Sequence, residues 1–287
     1  SEVQYGVAVL PEQRNAQQVT FLNLIGPDSE PLFTSAGLLE WTEAQKILAD
    51  YDTLKGLPEQ VVGIRGIRPL PEREWPYLGH VPTGVGLWGE HAASVLIECE
   101  DEGLEKVNRW YRRMNIQLST EPGRETFRVM AKGTAREAVN IVDSGAGVAQ
   151  LLPLVVQLEL IEHQPALLCL EQPELHLHPA AHAIVAELLL SHITTHQHSR
   201  VLVETHSESL VLRLRREVAA GRMSPADLRI FFVDEAGAGA GGSTVREIKL
   251  DEEGTPQWWP DGVFAEPQNE FFEIRRILAE RAASDAC

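Results

Sequence analysis

Apolar and polar positions change period several times along the chain. Val19-Thr20-Phe21-Leu22-Asn23-Leu24 alternates and predicts a strand, residues 38–51 have helical spacing, and Val61 to Ile67 predicts a second strand. Residues 68–90 break both periods with Pro69, Pro71, Pro76, Pro82, Gly84, Gly86 and Gly89, which predicts a long ordered loop. Trp75, Tyr77 and Trp88 within it would be costly to leave in water. Asp101 to Met114 is predicted helical, and strands follow near Ile116–Ser119 and Thr126–Ala131.

From about Ala138 the pattern becomes an alternation of strands and helices. Ala138 to Val142 predicts a strand, Asp143-Ser144-Gly145-Ala146-Gly147 a turn, and Val148 to about Glu162 a helix. Ala166-Leu167-Leu168-Cys169-Leu170 is a short continuous apolar run, as expected of a strand buried on both faces. Pro179 opens a helix at its favoured first position and Ala183–Ile193 continues it. Arg200–Val203 is another buried strand and Leu210–Val218 another helix. Such alternation implies parallel βαβ units, with ligands beyond the carboxyl ends of the strands. The polar clusters 171–178 and 204–207 fall there. In the tail, 228–233 and 244–250 alternate around a Gly/Ala-rich tip at 237–242, a hairpin pattern, and a final helix is expected over 270–282. The expected division is an N-terminal mixed α/β part (1–137), a central lobe (138–222) and a C-terminal hairpin plus helix (223–287).

Composition narrows the function classes. Among 287 residues, 42 acids against 25 bases leave a formal charge of −17, which argues against a chain that coats DNA or an anionic membrane nonspecifically. The run Arg213, Arg215, Arg216, Arg222 could touch nucleic acid locally or form a solvated face complementing a helix dipole. Cys99, Cys169 and Cys287 form no CxxC pair, so a cytoplasmic setting without disulfides is expected. No apolar run has the length of a membrane span. Ser1 is followed by no signal-type core and is not Met, so a processed, trimmed or partial chain is expected.

The chemistry concentrates at three places. Leu167-Leu168-Cys169-Leu170-Glu171-Gln172-Pro173-Glu174 is an apolar strand delivering acids at its carboxyl end, which is how a rigid strand holds magnesium and attacking water at fixed distance from phosphates. The plainer reading is a set of surface acids. Ser144, Gly145 and Gly147, with Gln150 just beyond, stand before a helix, where a hydroxyl and backbone N–H groups make an anion site; alternatively this is an ordinary Gly-rich turn. Thr205-His206-Ser207 ends the next strand, and His206 could instead cap the following helix.

The order of these elements resembles ATP-binding-cassette-type heads, which include the SMC, RecF and overcoming-lysogenization-defect ATPases. The run Glu171-Gln172-Pro173-Glu174-Leu175-His176-Leu177-His178-Pro179 resembles their Walker B strand and D-loop. With Trp259-Pro260-Asp261-Gly262-Val263-Phe264, the chain looks like a bacterial group of AAA-type ATPases with a characteristic C-terminal domain. The resemblance covers 138–207 and extends over 61–96 and 228–273. It implies a partial P-loop NTPase: an α/β head with a mostly parallel sheet and a C-terminal β-hairpin extension. It further implies ATP and Mg2+ as cofactors. Glu171 would hold magnesium, Gln172 or Glu174 would place water, and His206 would meet the γ-phosphate. Ser144, Gly145, Gly147 and Gln150 would complete a partner's nucleotide site, and His176 and His178 would lie in the D-loop. A homodimer closed by ATP is implied, with nucleic acid or an effector protein as further partner, no membrane, and a setting in DNA repair or anti-phage defence.

Two departures shape that expectation. No G-x-x-x-x-G-K-[ST] occurs, and the five lysines at 46, 55, 106, 132 and 249 lie outside any such loop. Either an upstream Walker A segment is absent from this chain, or the chain is a P-loop-less docking or regulatory module that completes a partner's ATP site. The acid pair is Glu171-Gln172 in place of Asp-Glu; an amide cannot accept a proton at neutral pH, so slow hydrolysis is expected. A rival reading is a His-rich metal-dependent hydrolase, since His176, His178, His182, His192, His196, His198 and His206 crowd one stretch and His178 and His182 lie four apart.

Overall fold

The computed structural model describes residues 19–25, 61–134, 137–162, 167–196, 199–235, 243–260, 262–264 and 271–277. The strands are β1 (Val19–Ile25), β2 (Val61–Ile64), β3 (Trp75–Pro76), β4 (Ile116–Pro122), β5 (Thr126–Gly133), β6 (Val139–Asn140), β7 (Leu167–Glu171), β8 (Arg200–Thr205), β9 (Leu228–Glu235) and β10 (Ser243–Ile248). The helices are α1 (Ala92–Glu98), α2 (Glu100–Tyr111), α3 (Ala146–Leu160), α4 (Pro179–Thr195) and α5 (Glu208–Ala219). Single turns of 3-10 helix cover Arg112–Met114 and Ile141–Ser144, and 271–277 are helical. The helix expected over 38–51 and the hairpin tip 237–242 lie outside the described residues.

The continuous apolar runs form the centre of a six-stranded sheet of order β10-β9-β1-β8-β7-β2. Strands β2, β7 and β8 pair in parallel, and Leu168, Leu170, Val201 and Val203 on them are buried, as their sequence demands. Strand β1 runs antiparallel to both β8 and β9, and β10 antiparallel to β9. Four of the six strands, β2, β7, β8 and β9, therefore point the same way. The fold is α/β. The expected tail hairpin is present, with Ser243 opposite Glu235 and Ile248 opposite Ile230.

A second, antiparallel sheet has the order β3-β5-β4, with β6 on the far part of β5. Here the structure corrects the strand expected at 138–142. Only Val139 and Asn140 are extended, and they pair with β5 rather than joining the parallel series. Asn140 ends the strand: its Oδ1 accepts the Val142 N–H at 3.2 Å and its Nδ2 donates to Arg73 O at 2.8 Å, which starts a 3-10 turn instead. A short helix, α1, was also not apparent from the spacing.

Helix α3 crosses the core, and every residue from Ala149 to Leu158 is buried. Gln157 is tolerated there because its Oε1 accepts the Val85 N–H at 3.3 Å. Asn108 ties α2 to β4 by accepting the Leu118 N–H at 2.6 Å and donating to Leu118 O at 2.9 Å. In the loop 68–90, Trp75 is buried and stacks on Phe127, but Tyr77 is 39% and Trp88 46% exposed, contrary to the expectation of burial. No helix among the described residues is long and apolar enough to cross a membrane.

Candidate functional site

Strands β7 and β8 end side by side, with Glu171 opposite Glu204 in register. The chain then turns sharply. Gln172 takes φ 39°, its N–H donates to Glu204 O at 2.8 Å, and its Nε2 donates to Glu204 Oε1 at 3.2 Å. Two tight turns follow, with Leu175 N–H on Gln172 O at 2.9 Å and Leu177 N–H on Glu174 O at 3.0 Å. His176 sits in the left-handed region at φ 66°, and its side chain and that of His178 are exposed.

Glu174 is buried. Its Oε1 accepts hydrogen bonds from Thr205 Oγ1 and from the His206 N–H, the latter at 3.1 Å. The acid after β7 thus holds the backbone after β8. His206 itself is exposed, and the cap of α5 is its neighbour. Ser207 Oγ accepts the Leu210 N–H at 3.0 Å, so the alternative of His206 as helix cap does not apply. His182 Nδ1 lies 2.7 Å from Ser207 Oγ and fixes that hydroxyl.

Glu171 has a countercharge in place. Arg65, just past β2, reaches Glu171 Oε1 with Nη1 at 2.8 Å, and its guanidinium lies 5.9 Å from the Trp88 ring centre. Gly66 follows closely: a Cβ there would stand 2.9 Å from Glu171 O. Three residues on, Arg68 is buried. Its Nε donates to Gln150 Oε1 at 3.0 Å and its Nη1 to Arg65 O at 2.7 Å. Burial lowers the Arg68 guanidinium to about 10, with the charge of Glu174 opposing that shift.

The glycine loop packs against the turn after β7. Gly145 precedes α3 at φ 110°, a conformation that favours glycine. A Cβ at Gly147 would lie 2.7 Å from His176 O, so the loops 144–147 and 172–178 are in backbone contact. Ser144 Oγ donates to Ile141 O at 2.6 Å. Gln150 turns inward: its Nε2 donates to Arg68 O at 2.8 Å and Pro69 O at 3.2 Å. Asp143 on the same loop is held by both Arg73 Nη atoms, at 2.7 and 2.6 Å.

The structure thus brings Glu171, Gln172, Glu174 and His206 together at the ends of β7 and β8, and sets Gly147, which follows Ser144 and Gly145, against the backbone of the turn that carries His176 and His178, while Gln150 turns inward to Arg68 and Pro69. Arg65 and Arg68 are the residues that sequence reasoning missed. Their signal is modest: two arginines in Arg65-Gly66-Ile67-Arg68, directly after the strand that pairs with β7.

Among the described residues the histidine cluster disperses, and His198 lies outside them. His182 serves Ser207 and Leu177 O, His192 lies 3.1 Å from Ser199 Oγ, and the His192 and His196 rings meet tilted by 40° with centres 4.8 Å apart. Among the described residues no three His, Cys, Asp or Glu side chains converge as a metal site. Three of the four arginines of the basic run are engaged internally, while Arg216 is exposed. Arg213 pairs with Glu187, Arg222 with Glu217, and Arg215 donates to Gly254 O at 2.8 Å while facing the Trp259 ring.

Residues 90–211 match the family model of the AAA ATPase domain. That stretch contains the glycine loop, the acids after β7 and His206. No curated protein matches the chain. A solved structure from work on the structural biochemistry of ATP-driven dimerization and DNA-stimulated activation of SMC ATPases is similar at 17% identity, covering 62% of this chain and 96% of that one, with a TM-score of 0.37. A TM-score that low does not establish a common fold. An ATPase-type domain is supported by the matched stretch.

Proposed function

We propose that this chain is part of an ATPase head and that the intact protein, with a Walker A segment, binds ATP with magnesium, hydrolyses it slowly and dimerises around it. The observation that carries the reading is the junction at one edge of the fold, where Glu174 grips the His206 backbone and Gly147 abuts His176, within the stretch that matches the AAA ATPase domain.

Magnesium suits this edge in its usual manner, with one carboxylate completed by phosphate oxygens and water. Glu171 is that carboxylate, and Arg65 must yield or share it. When bound, magnesium would polarise the phosphoryl oxygens and offset their charge. Gln172 presents a neutral amide, able to orient water but unable to take its proton, which is why turnover is slow. Glu174 is the other candidate for placing water. The exposed His206 ring donates to the γ-phosphate. Ser144, Gly145 and Gly147 at the head of α3 supply backbone N–H groups and a helix N-terminus to ATP held by the second copy. His176 and His178 lie on the surface between the two heads. A cytoplasmic role in DNA repair or anti-phage defence, with nucleic acid or an effector protein as partner, accompanies this reading by family resemblance.

The test is equilibrium binding of ATP with and without magnesium, combined with sedimentation of the same samples. Saturable, magnesium-dependent binding and conversion to dimer are expected. Absence of both overturns the reading. A docking module that completes a partner's site is the second reading. It is favoured by Arg65 already neutralising Glu171.

A further inference from the structure

Four buried side-chain atoms among the described residues lack a hydrogen-bond partner, and two of them are Arg68 Nη2 and Glu174 Oε2. Buried polar atoms are nearly always paired, and a charged one left unpaired is costly. These two carry opposite charge and interact electrostatically. Each is also the free end of a side chain whose other atoms are committed. Arg68 grips Gln150 Oε1 and Arg65 O, and Gln150 returns two bonds to Arg68 O and Pro69 O. Glu174 Oε1 holds the Thr205 hydroxyl and the His206 N–H.

We propose that Arg68 is a positioning residue that couples the glycine loop at the head of α3 to His206, by closing onto Glu174. Direct contact of Nη2 with Oε2 satisfies both orphaned atoms. Because Arg68 Nε donates to Gln150, within the first turns of α3, the closure draws the glycine loop and the acid turn together. Because Glu174 holds the His206 backbone, the same closure fixes where the His206 ring stands. Lysine can do this only in part, having one point of charge and no planar fork to hold Gln150 and Glu174 at once. The coupling rests on the ATPase reading for its purpose, but not for its detection.

Two readouts test it on the full chain, with R68M and R68K. The first is hydrogen exchange at the His206 amide. R68M should exchange there about tenfold faster than wild type, with R68K in between, while the core strand amides of Val201 and Val203 keep their protection. The second is steady-state hydrolysis, where R68M should lower kcat about tenfold with KM nearly unchanged. Unaltered exchange at His206 overturns the coupling. So does a loss of protection spread evenly over the core, which marks Arg68 as structural only. If R68M does not fold, R68K carries the same expectation at smaller size. If wild type itself does not hydrolyse ATP, the ATPase reading fails, and the exchange experiment alone decides the coupling.

Discussion

Glu174 accepts the backbone N–H of His206 at 3.1 Å, so an acid that follows one strand fixes the residue that follows the next. The same carboxylate oxygen takes the Thr205 hydroxyl. E174A strands both donors, and a buried unsatisfied donor costs about 1–3 kcal/mol. E174Q keeps an acceptor and should lose less. Urea unfolding of the three proteins checks the order, wild type over E174Q over E174A. Equal midpoints for wild type and E174A would contradict the clamp.

Arg65 and Glu171 make a different kind of pair. They are half-exposed, so their mutual attraction contributes at most about 1 kcal/mol to stability. R65A should therefore leave the unfolding midpoint almost unchanged. Its effect should appear in magnesium dependence, because Glu171 no longer has a competing cation. The expected outcome is that R65A needs less magnesium for half-maximal ATP binding than wild type, whereas E171A loses the magnesium dependence. An R65A protein needing more magnesium would show that Arg65 assists the metal site instead of competing with it.

Gly147 is a steric requirement. It is the second residue of α3, and within a helix alanine is favoured over glycine by up to about 1 kcal/mol. Here a Cβ would meet His176 O at 2.7 Å, and backbone has little room to give. G147A should destabilise by about 1–3 kcal/mol despite its better propensity. Thermal melting reports the sign directly, and a rise in Tm would rule out the tight contact between the glycine loop and the acid turn.

Acid sensitivity should have an identifiable source. Burial lowers the pKa of His192 to about 4, with the neighbouring His196 adding to the shift. The unfolded chain then binds a proton that the folded chain resists, so stability is full above the unfolded value near 6.5 and falls as pH drops towards 4. The loss through this window amounts to about 3 kcal/mol for a shift of that size. H192Q should flatten the difference between urea midpoints measured at pH 7.5 and pH 5. A variant with the same pH slope as wild type would place the acid sensitivity elsewhere.

Much of the architecture is legible in local pattern. Leu167–Leu170 and Arg200–Val203 are apolar runs and become adjacent parallel strands, and Pro179 opens α4 at its first position. The grouping of Glu171, Glu174 and His206 follows once those strands are neighbours. What local pattern does not carry is partnership at long range. Arg68 and Gln150 are 82 positions apart, and nothing near either residue announces the other. Asn140 is another case: its side chain competes with the strand for hydrogen bonds and ends it after two residues. Trp88 and Tyr77 show that a large apolar residue need not be buried; Trp88 instead lies beside the Arg65 guanidinium at the rim of the acid edge.

The central claim is that the edge formed by Glu171, Glu174, His206 and the glycine loop serves ATP. The most direct measurement is ATP binding and dimer formation in wild type beside E171A and G145A. The account predicts saturable, magnesium-dependent binding with dimer formation in wild type. E171A should lose the magnesium dependence, while G145A should bind ATP yet remain monomeric. Wild type that neither binds ATP nor dimerises, or variants indistinguishable from it, would contradict the account.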